Sequence, residues 1–562
     1  MMTETTMQLE PDPTALAAAR RWNGSRIAGM AMLAVAGVFF ALHFLHLKAD
    51  FPNDSPWMDW AKYTDEGWYG DAAIRHYFFG HWYWRGDFNP AVALPVWPAL
   101  EWIVFRFTGV SVVAARAFTL CIFGVTLVAL YALVRRHSPM RSGSLAAALA
   151  MLMLCCSPFL YVFERMAIIE PLLICLASLA LLAASHLHRV TLPHGPWRFG
   201  ELTKAVAPSL ALGVLLPAMV LAKTTAICLL PAVGYMVWAR AGYRWRPTLR
   251  LAVVPCLLTV TLWSAYYFGF VRPHYLEDYQ YLFAANAYTG IELDPLAKVV
   301  LNTVFDGLWM GKALLPSFFA VVALALFWRP RLLANPLAPA LGLWVAGYSA
   351  FLMYHNNLQP RYYTVIAVPI TVLVAIGLDS FREAGSRRAR VISGVAVAAI
   401  LLAIIIPDAI EQIGFVRHPT YEFEAAAQGI RQIVLAEPAH SHLLLSISGS
   451  DITLMTGLPS IDDDFGTMDL DERARVYQPG WYAAWNEIED DKMDALTPWF
   501  HVRRVASFAA MDDPERNLLI LYRLDPATAP EPAKPVKPHK ARVPRSLITK
   551  IGEQPSTDQL EH

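Results

Sequence analysis

Eleven apolar runs, each of bilayer length or close to it, govern what this chain can fold into. They cover roughly residues 27–47, 112–134, 143–162, 171–187, 206–222, 224–239, 251–271, 307–328, 336–354, 362–379 and 391–407. About 20 helical residues cross a hydrocarbon core, and backbone that enters it must satisfy its own hydrogen bonds. The chain has 562 residues, of which 56% are hydrophobic and 16% charged, with mean hydropathy +0.38. A soluble domain carries about 25% charged residues. The expected fold is a mainly α polytopic membrane protein of about eleven transmembrane helices, with a small α/β domain at its C-terminus. Lys223 parts the two shortest runs, so residues 206–239 are either two short spans or a re-entrant pair.

Basic residues in short loops set orientation. Arg135, Arg136 and Arg141 form one cluster, and Arg189, Arg198 and Lys204 a second. Arg240, Arg244, Arg246 and Arg250 follow, then Arg329 and Arg331, then Arg382, Arg387, Arg388 and Arg390. The alternate connections lack such clusters. Eleven spans and a cytoplasmic N-terminus (1–26) put every cluster on one side. The expected address is a bacterial cytoplasmic membrane, with the transmembrane domain spanning 27–410. Loops 48–111 and 272–306 and the segment 411–526 then face outward, and the Pro-, Ala- and Lys-rich tail 527–562 reads as disordered. The first run is followed by Lys48 to Pro52 rather than a small-residue cleavage site, so it reads as a retained anchor. Zero formal net charge argues against a nucleic-acid partner. All six cysteines fall in apolar segments and suggest neither disulfides nor a thiolate metal site.

Segment 411–526 is expected to hold an amphipathic helix around 429–434, a helix over 469–477, and strands over 443–448, 501–507 and 518–523. Asp462, Asp463 and Asp464 read as a solvated acidic turn.

Four outward-facing constellations could carry chemistry. Loop 48–111 interleaves acidic residues, among them Asp59, Asp65, Glu66, Asp71 and Glu101, with seven tryptophans. Such rings either anchor the loop at the interface or stack on sugars, with carboxylates gripping hydroxyls. Asp65 and Glu66 are neighbours, so in a regular element they point different ways. One could act as a base while the other orients a group. Second, Pro171 favours a helix start that places Glu170 at or near its N-cap, with Arg165 as a nearby partner; capping and catalysis both fit. Third, Lys223 is either a snorkelling lysine or a phosphate contact. Fourth, Arg361, Tyr362 and Tyr363 at the outer start of a span suit a phosphate headgroup or an aromatic belt. The histidines lack metal-ligand spacing, and no Gly-rich phosphate loop is present.

In this order, the pieces resemble the bacterial GT-C glycosyltransferases that use polyprenyl-phosphate sugars. These include relatives of protein O-mannosyltransferases and of the enzymes that add aminoarabinose or galacturonic acid to lipid A. Asp65, Glu66 and Tyr69 match the pair that opens the first periplasmic loop. Pro95, Pro98, Ala115 and Arg116 match the family's next positions, and Glu170 before Pro171 stands where Asp is commoner. Lys223 and Arg361 to Tyr363 match the later basic positions.

The resemblance implies an outer-face transferase moving a sugar from a polyprenyl-phosphate donor to a hydroxyl on a lipid, glycan or protein acceptor, with inversion. Asp65, Glu66 and Glu170 would be catalytic. Lys223, Arg361, Tyr362 and Arg165 would hold the donor phosphate, and Tyr69, Trp68 and Arg116 would contact substrate. No cofactor is required, and a divalent metal stays open. A flippase or transporter of polyprenyl-linked glycans and a ligase using a diphosphate donor are the rival readings.

Overall fold

The computed structural model describes residues 13–50, 57–59, 65–82, 84, 86, 90–137, 143–188, 199–285, 294–327, 331–355, 358–381, 387–446, 449–463, 468–512 and 516–527. The expected tail, and Asp464 of the acidic turn, lie outside them.

Helix α1 (Pro13–Leu42) leads into the first loop, which holds α2 (Asp65–Trp68), α3 (Asp71–Phe79) and α4 (Val96–Thr108). Next come α5 (Val112–His137), α6 (Gly143–Cys156), α7 (Pro158–Phe163), α8 (Ile169–Ser185), α9 (Phe199–Ala222), α10 (Leu230–Arg240) and α11 (Trp245–Tyr266). Between α11 and α15 lie α12 (Arg272–His274), α13 (Leu276–Ala285) and α14 (Leu296–Asp306). Helices α15 (Leu314–Phe327), α16 (Arg331–Ala334), α17 (Leu337–Tyr354), α18 (Thr364–Phe381) and α19 (Arg387–Arg417) complete the apolar part.

Every apolar run meets a helix, but length divides them. Among the described residues, five helices are long and apolar enough to cross a bilayer alone. A sixth span results if the pair Leu296–Met310 and Leu314–Phe327, bent by 116°, is counted as one. Four more stretches, Arg26–Leu42, Leu145–Cys156, Ile169–Ser185 and Val206–Ala222, are apolar but shorter. The run 143–162 is two helices because Pro158 disfavours helical backbone at Ser157. Ser157 is extended there and caps α7, its hydroxyl accepting the Leu160 N–H at 3.3 Å. Lys223 breaks the chain in the same way, with extended backbone (φ −155°, ψ 127°) between α9 and a 3-10 turn over Thr224–Leu229. That turn lies so close to α17 that a Cβ on Gly347 would overlap the Cys228 carbonyl.

Beyond Arg417 the chain forms a five-stranded sheet with helices α20 (Glu422–Leu435), α21 (Gly449–Thr456), α22 (Leu470–Tyr477) and α23 (Asp490–Leu496). The strands are β1 (Leu444–Ser446), β2 (Ser460–Asp462), β3 (Trp481–Trp485), β4 (Phe500–Ala509) and β5 (Leu518–Pro526), in the order β2-β1-β3-β5-β4. β1 pairs in parallel with β2 and β3, while β5 is antiparallel to β3 and β4. The strands and helices expected from periodicity are present. The structure adds β2, β3, α21 and α23; of these β2, β3 and α21 are short and buried and so show no alternation.

The acidic turn is a correction. Asp462 and Asp463 are buried, not solvated. Asp463 accepts from the Tyr482 hydroxyl and, at 3.3 Å, from Lys492 Nζ. The domain sits directly on the first loop. Asp50 accepts the Phe423 and Glu424 N–H groups at 3.0 and 3.4 Å, and Trp84 stacks on Tyr477 with ring centroids 4.6 Å apart.

Candidate active site

The single turn α2 presents Asp65 and Glu66 in different directions, as neighbouring positions in a helix do. Both are buried. Two clusters of ionic groups result, one on each side of the turn.

On the first side Asp65 meets Arg361, whose Nη2 lies 2.6 Å from Asp65 Oδ2. Arg361 also pairs with Asp59 through Nη1, and its backbone N–H donates to Asp59 at 2.9 Å. Pro360 starts this 3-10 turn and fixes its entry, so the guanidinium is aimed by backbone as well as by charge. Glu170 accepts from Lys223 Nζ. Lys223 Nζ lies 4.4 Å, and Arg361 Cζ 4.8 Å, from the centroid of the Tyr362 ring, so one aromatic ring bridges the two cations. Tyr69 is buried within the field of Asp65, Glu170, Arg361 and Tyr362. Burial, followed by the Asp65 charge, pushes its phenol well above the ordinary range.

On the second side Glu66 forms a fork with Arg116. Arg116 Nε donates to Oε1 at 2.8 Å and Nη2 to Oε2 at 2.5 Å, while the Ala167 N–H donates to Oε1 at 2.9 Å. Arg116 also holds the chain leaving α1, donating to the carbonyls of Leu47 (2.9 Å) and Ala49 (2.5 Å). A bidentate arginine fixes both the position and the plane of the Glu66 carboxylate.

Some assignments shift. Glu170 is the second residue of α8, behind the N-cap Ile168, and its partner is Lys223 rather than Arg165. Arg165 turns to Tyr161 and to the carbonyls of Leu45 (3.0 Å) and His46 (2.6 Å). Trp68 packs edge-on against Tyr69 at 4.8 Å. Trp57 and Trp97 are buried core rings.

Three participants escaped sequence reasoning. Asp59 stood in the acidic loop but had no signal to pair it with an arginine 302 positions away. Glu101 is fully buried against Gly70; burial, then the Glu66 charge, raises its carboxyl well above the usual range. Asp451 comes from α21 of the C-terminal domain. It is buried beside Glu66 and Asp65, bonds the Gly67 N–H, and is also held well above the usual range, burial first and the Glu66 charge second. A Cβ on Gly67 would strike the Ser450–Asp451 backbone, so only glycine permits this contact. The Ser450 hydroxyl bonds Asp71, which also pairs with Arg75 at 2.6 Å. Among the described residues, no group of three His, Cys, Asp or Glu side chains could hold a metal ion.

This arrangement of helices, loop and appended sheet recurs in solved structures. ArnT from Cupriavidus metallidurans bound to undecaprenyl phosphate superposes with a TM-score of 0.58 at 14% identity, over 88% of this chain and 97% of that one. The chain thus shares the fold of ArnT. The same ArnT in the apo state gives 0.57 at 13% identity, over the same shares. An oligosaccharyltransferase from Archaeoglobus fulgidus in the apo form aligns at 0.49 and 13% identity, over 89% of this chain and 76% of that one. No protein-family model and no curated protein matches the sequence. In this fold Asp65, Arg361 and the Glu170–Lys223 pair form one ionic cluster, with the Glu66–Arg116 pair beside it.

Proposed function

We propose that this chain is an integral membrane glycosyltransferase that moves a sugar from a polyprenyl-phosphate carrier to an acceptor hydroxyl on the outer face of the cytoplasmic membrane. The observation that carries the reading is the Asp65–Arg361 pair set beside Glu170–Lys223. It puts a carboxylate and two cations together where the first loop meets the start of α18 and the break before α10. A bound undecaprenyl phosphate in the similarly folded ArnT supports the donor class.

In the proposed reaction, the acceptor oxygen attacks the anomeric carbon as the carbon–oxygen bond to the carrier phosphate breaks. The bonding electron pair leaves with the phosphate, and the acceptor proton goes to Asp65. Arg361 orients the Asp65 carboxylate that receives it. Lys223 and Arg361 meet the charge that grows on the departing phosphate, and Tyr362 and Tyr69 wall the centre. Each cation is held by carboxylates in the resting site, so an arriving phosphate competes with Glu170 and Asp59 for them. Glu66 is tied to Arg116 and serves as a positioning residue. Direct displacement inverts the anomeric configuration, because the acceptor oxygen enters opposite the departing phosphate.

The test is transfer by purified protein in lipid nanodiscs from sugar-charged polyprenyl monophosphates in membrane extract. Free polyprenyl monophosphate should appear with wild type and fall by about 10²–10⁴-fold in Asp65→Asn. Release of a diphosphate carrier would instead support the ligase.

A further inference from the structure

A cavity of about 60 Å³ opens on the far side of Glu66 from Lys223, lined by His46, Asp50, Arg116, Tyr161, Arg165 and His418 among others. A site for one water needs about 10–15 Å³ on this measure, so a tetrahedral oxyanion or several waters fit. The cavity sits where α7, the end of α1 and the joint between α19 and the C-terminal domain converge.

Its two arginines are unequally paired. Arg116 is matched by Glu66. Asp50 is committed to the N–H groups of Phe423 and Glu424, and the cation in its field is Arg116. Arg165 is 8% exposed, yet all three of its bonds go to neutral oxygens: the Tyr161 hydroxyl and the carbonyls of Leu45 and His46. Its Cζ lies 4.8 Å from the Tyr161 ring centroid, and among the described residues no carboxylate reaches it as an ion-pair partner. The charges acting on it are Arg116, which repels it, and Glu66, which Arg116 already holds. A buried guanidinium without a counter-ion is costly to keep, and here it faces an open cavity. His46 is bonded to the Tyr421 hydroxyl at 2.7 Å, and His418 lines the same wall.

We propose that this cavity binds an anionic group, phosphate or carboxylate, of the acceptor, with Arg165 as its counter-ion. The inference rests on the glycosyltransferase reading. Lys223 and Arg361 gather around Asp65, while Arg165 lies in the field of the adjoining Glu66–Arg116 pair. An anion held there lies beside the base turn without competing for the cations that meet the leaving phosphate.

The experiment uses the full chain in detergent and in nanodiscs, with inorganic phosphate and undecaprenyl phosphate as probes. Phosphate should raise the melting midpoint of wild type and of Lys223→Met. Arg165→Gln should bind phosphate at least tenfold more weakly, which also removes general salt stabilisation as the cause. Undecaprenyl phosphate binding, read by native mass spectrometry, should show the reverse: kept in Arg165→Gln and lost in Lys223→Met. If Arg165→Gln does not fold, His418→Ala at the cavity wall should weaken phosphate about threefold. Unchanged phosphate binding in the variants overturns the site. Tenfold weaker carrier binding in Arg165→Gln assigns the cavity to the carrier and overturns the acceptor role. A wild type that binds phosphate through Arg165 but neither binds nor consumes a polyprenyl carrier sinks the glycosyltransferase reading and leaves only an anion site.

Discussion

At the scale of single residues, the site is a set of carboxylates sorted by their partners. Asp65 and Glu66 are held by arginines, Glu170 by lysine, and Glu101 and Asp451 by burial alone or a backbone N–H. The last two therefore behave as neutral acids. Their folded-state values lie above those of the unfolded chain, so the folded protein binds extra protons. Its stability is full below the ordinary carboxylate range and is lost as pH rises through the raised values. The melting midpoint should fall as pH rises above the ordinary carboxylate range, and Glu101→Gln should flatten that fall; an unchanged slope would show that Glu101 is ionised throughout. Asp451→Asn, which mimics the neutral acid, should keep most activity, while Asp451→Ala should lose at least tenfold. Equal loss in both would mean that a charge at 451 is needed. The adjacent acidic pair and the basic positions were legible in the sequence because membrane-edge charges are rare. Their pairing was not: Asp59 meets Arg361 and Asp451 meets Gly67 across hundreds of residues, and no local pattern encodes such contacts.

At the scale of elements, α2 and α21 act as one piece. Four residues of α2 make little more than one helical turn and cannot hold a shape alone. The wholly buried α21 braces them through the Gly67 contact and the Ser450–Asp71 bond. Gly67→Ala would ordinarily favour a helix by about 0.5–1 kcal/mol. Here it should cost about 1–3 kcal/mol through overpacking, measurable as a lower melting midpoint together with lost activity. A stabilised Gly67→Ala protein would show that the two helices are not in contact. Periodicity revealed the long helices and the alternating strand β4. It missed α21 and β3, because elements buried on every side carry no polar face. The proline signal at Pro171 placed α8 two residues late, since Ile169 and Glu170 already lie in that helix, and the break before Pro158 was not read from the sequence at all.

At the scale of the whole molecule, the apolar helices and the sheet domain close on the first loop from two sides. Basic clusters between the apolar runs imply that this loop and the sheet face outward. An alkaline phosphatase fused after residue 526 should be active, and one fused after residue 242 inactive. The opposite result would invert the chain and put the ionic centre on the inner side. The number of spans was only coarsely readable. Breaks at Ser157, at Lys223 and between α14 and α15 leave short helices that a window of apolar residues cannot separate from full spans.

The central claim is that Asp65 takes the proton in transfer from a polyprenyl phosphate. Its most direct test is mass spectrometry of envelope lipids and glycans from a strain lacking the protein, supplied with wild type or Asp65→Asn at equal membrane levels. The account predicts that one sugar disappears from a glycoconjugate and its polyprenyl-phosphate form accumulates without the protein. Wild type should restore the sugar and Asp65→Asn should not. Full restoration by Asp65→Asn would contradict the account.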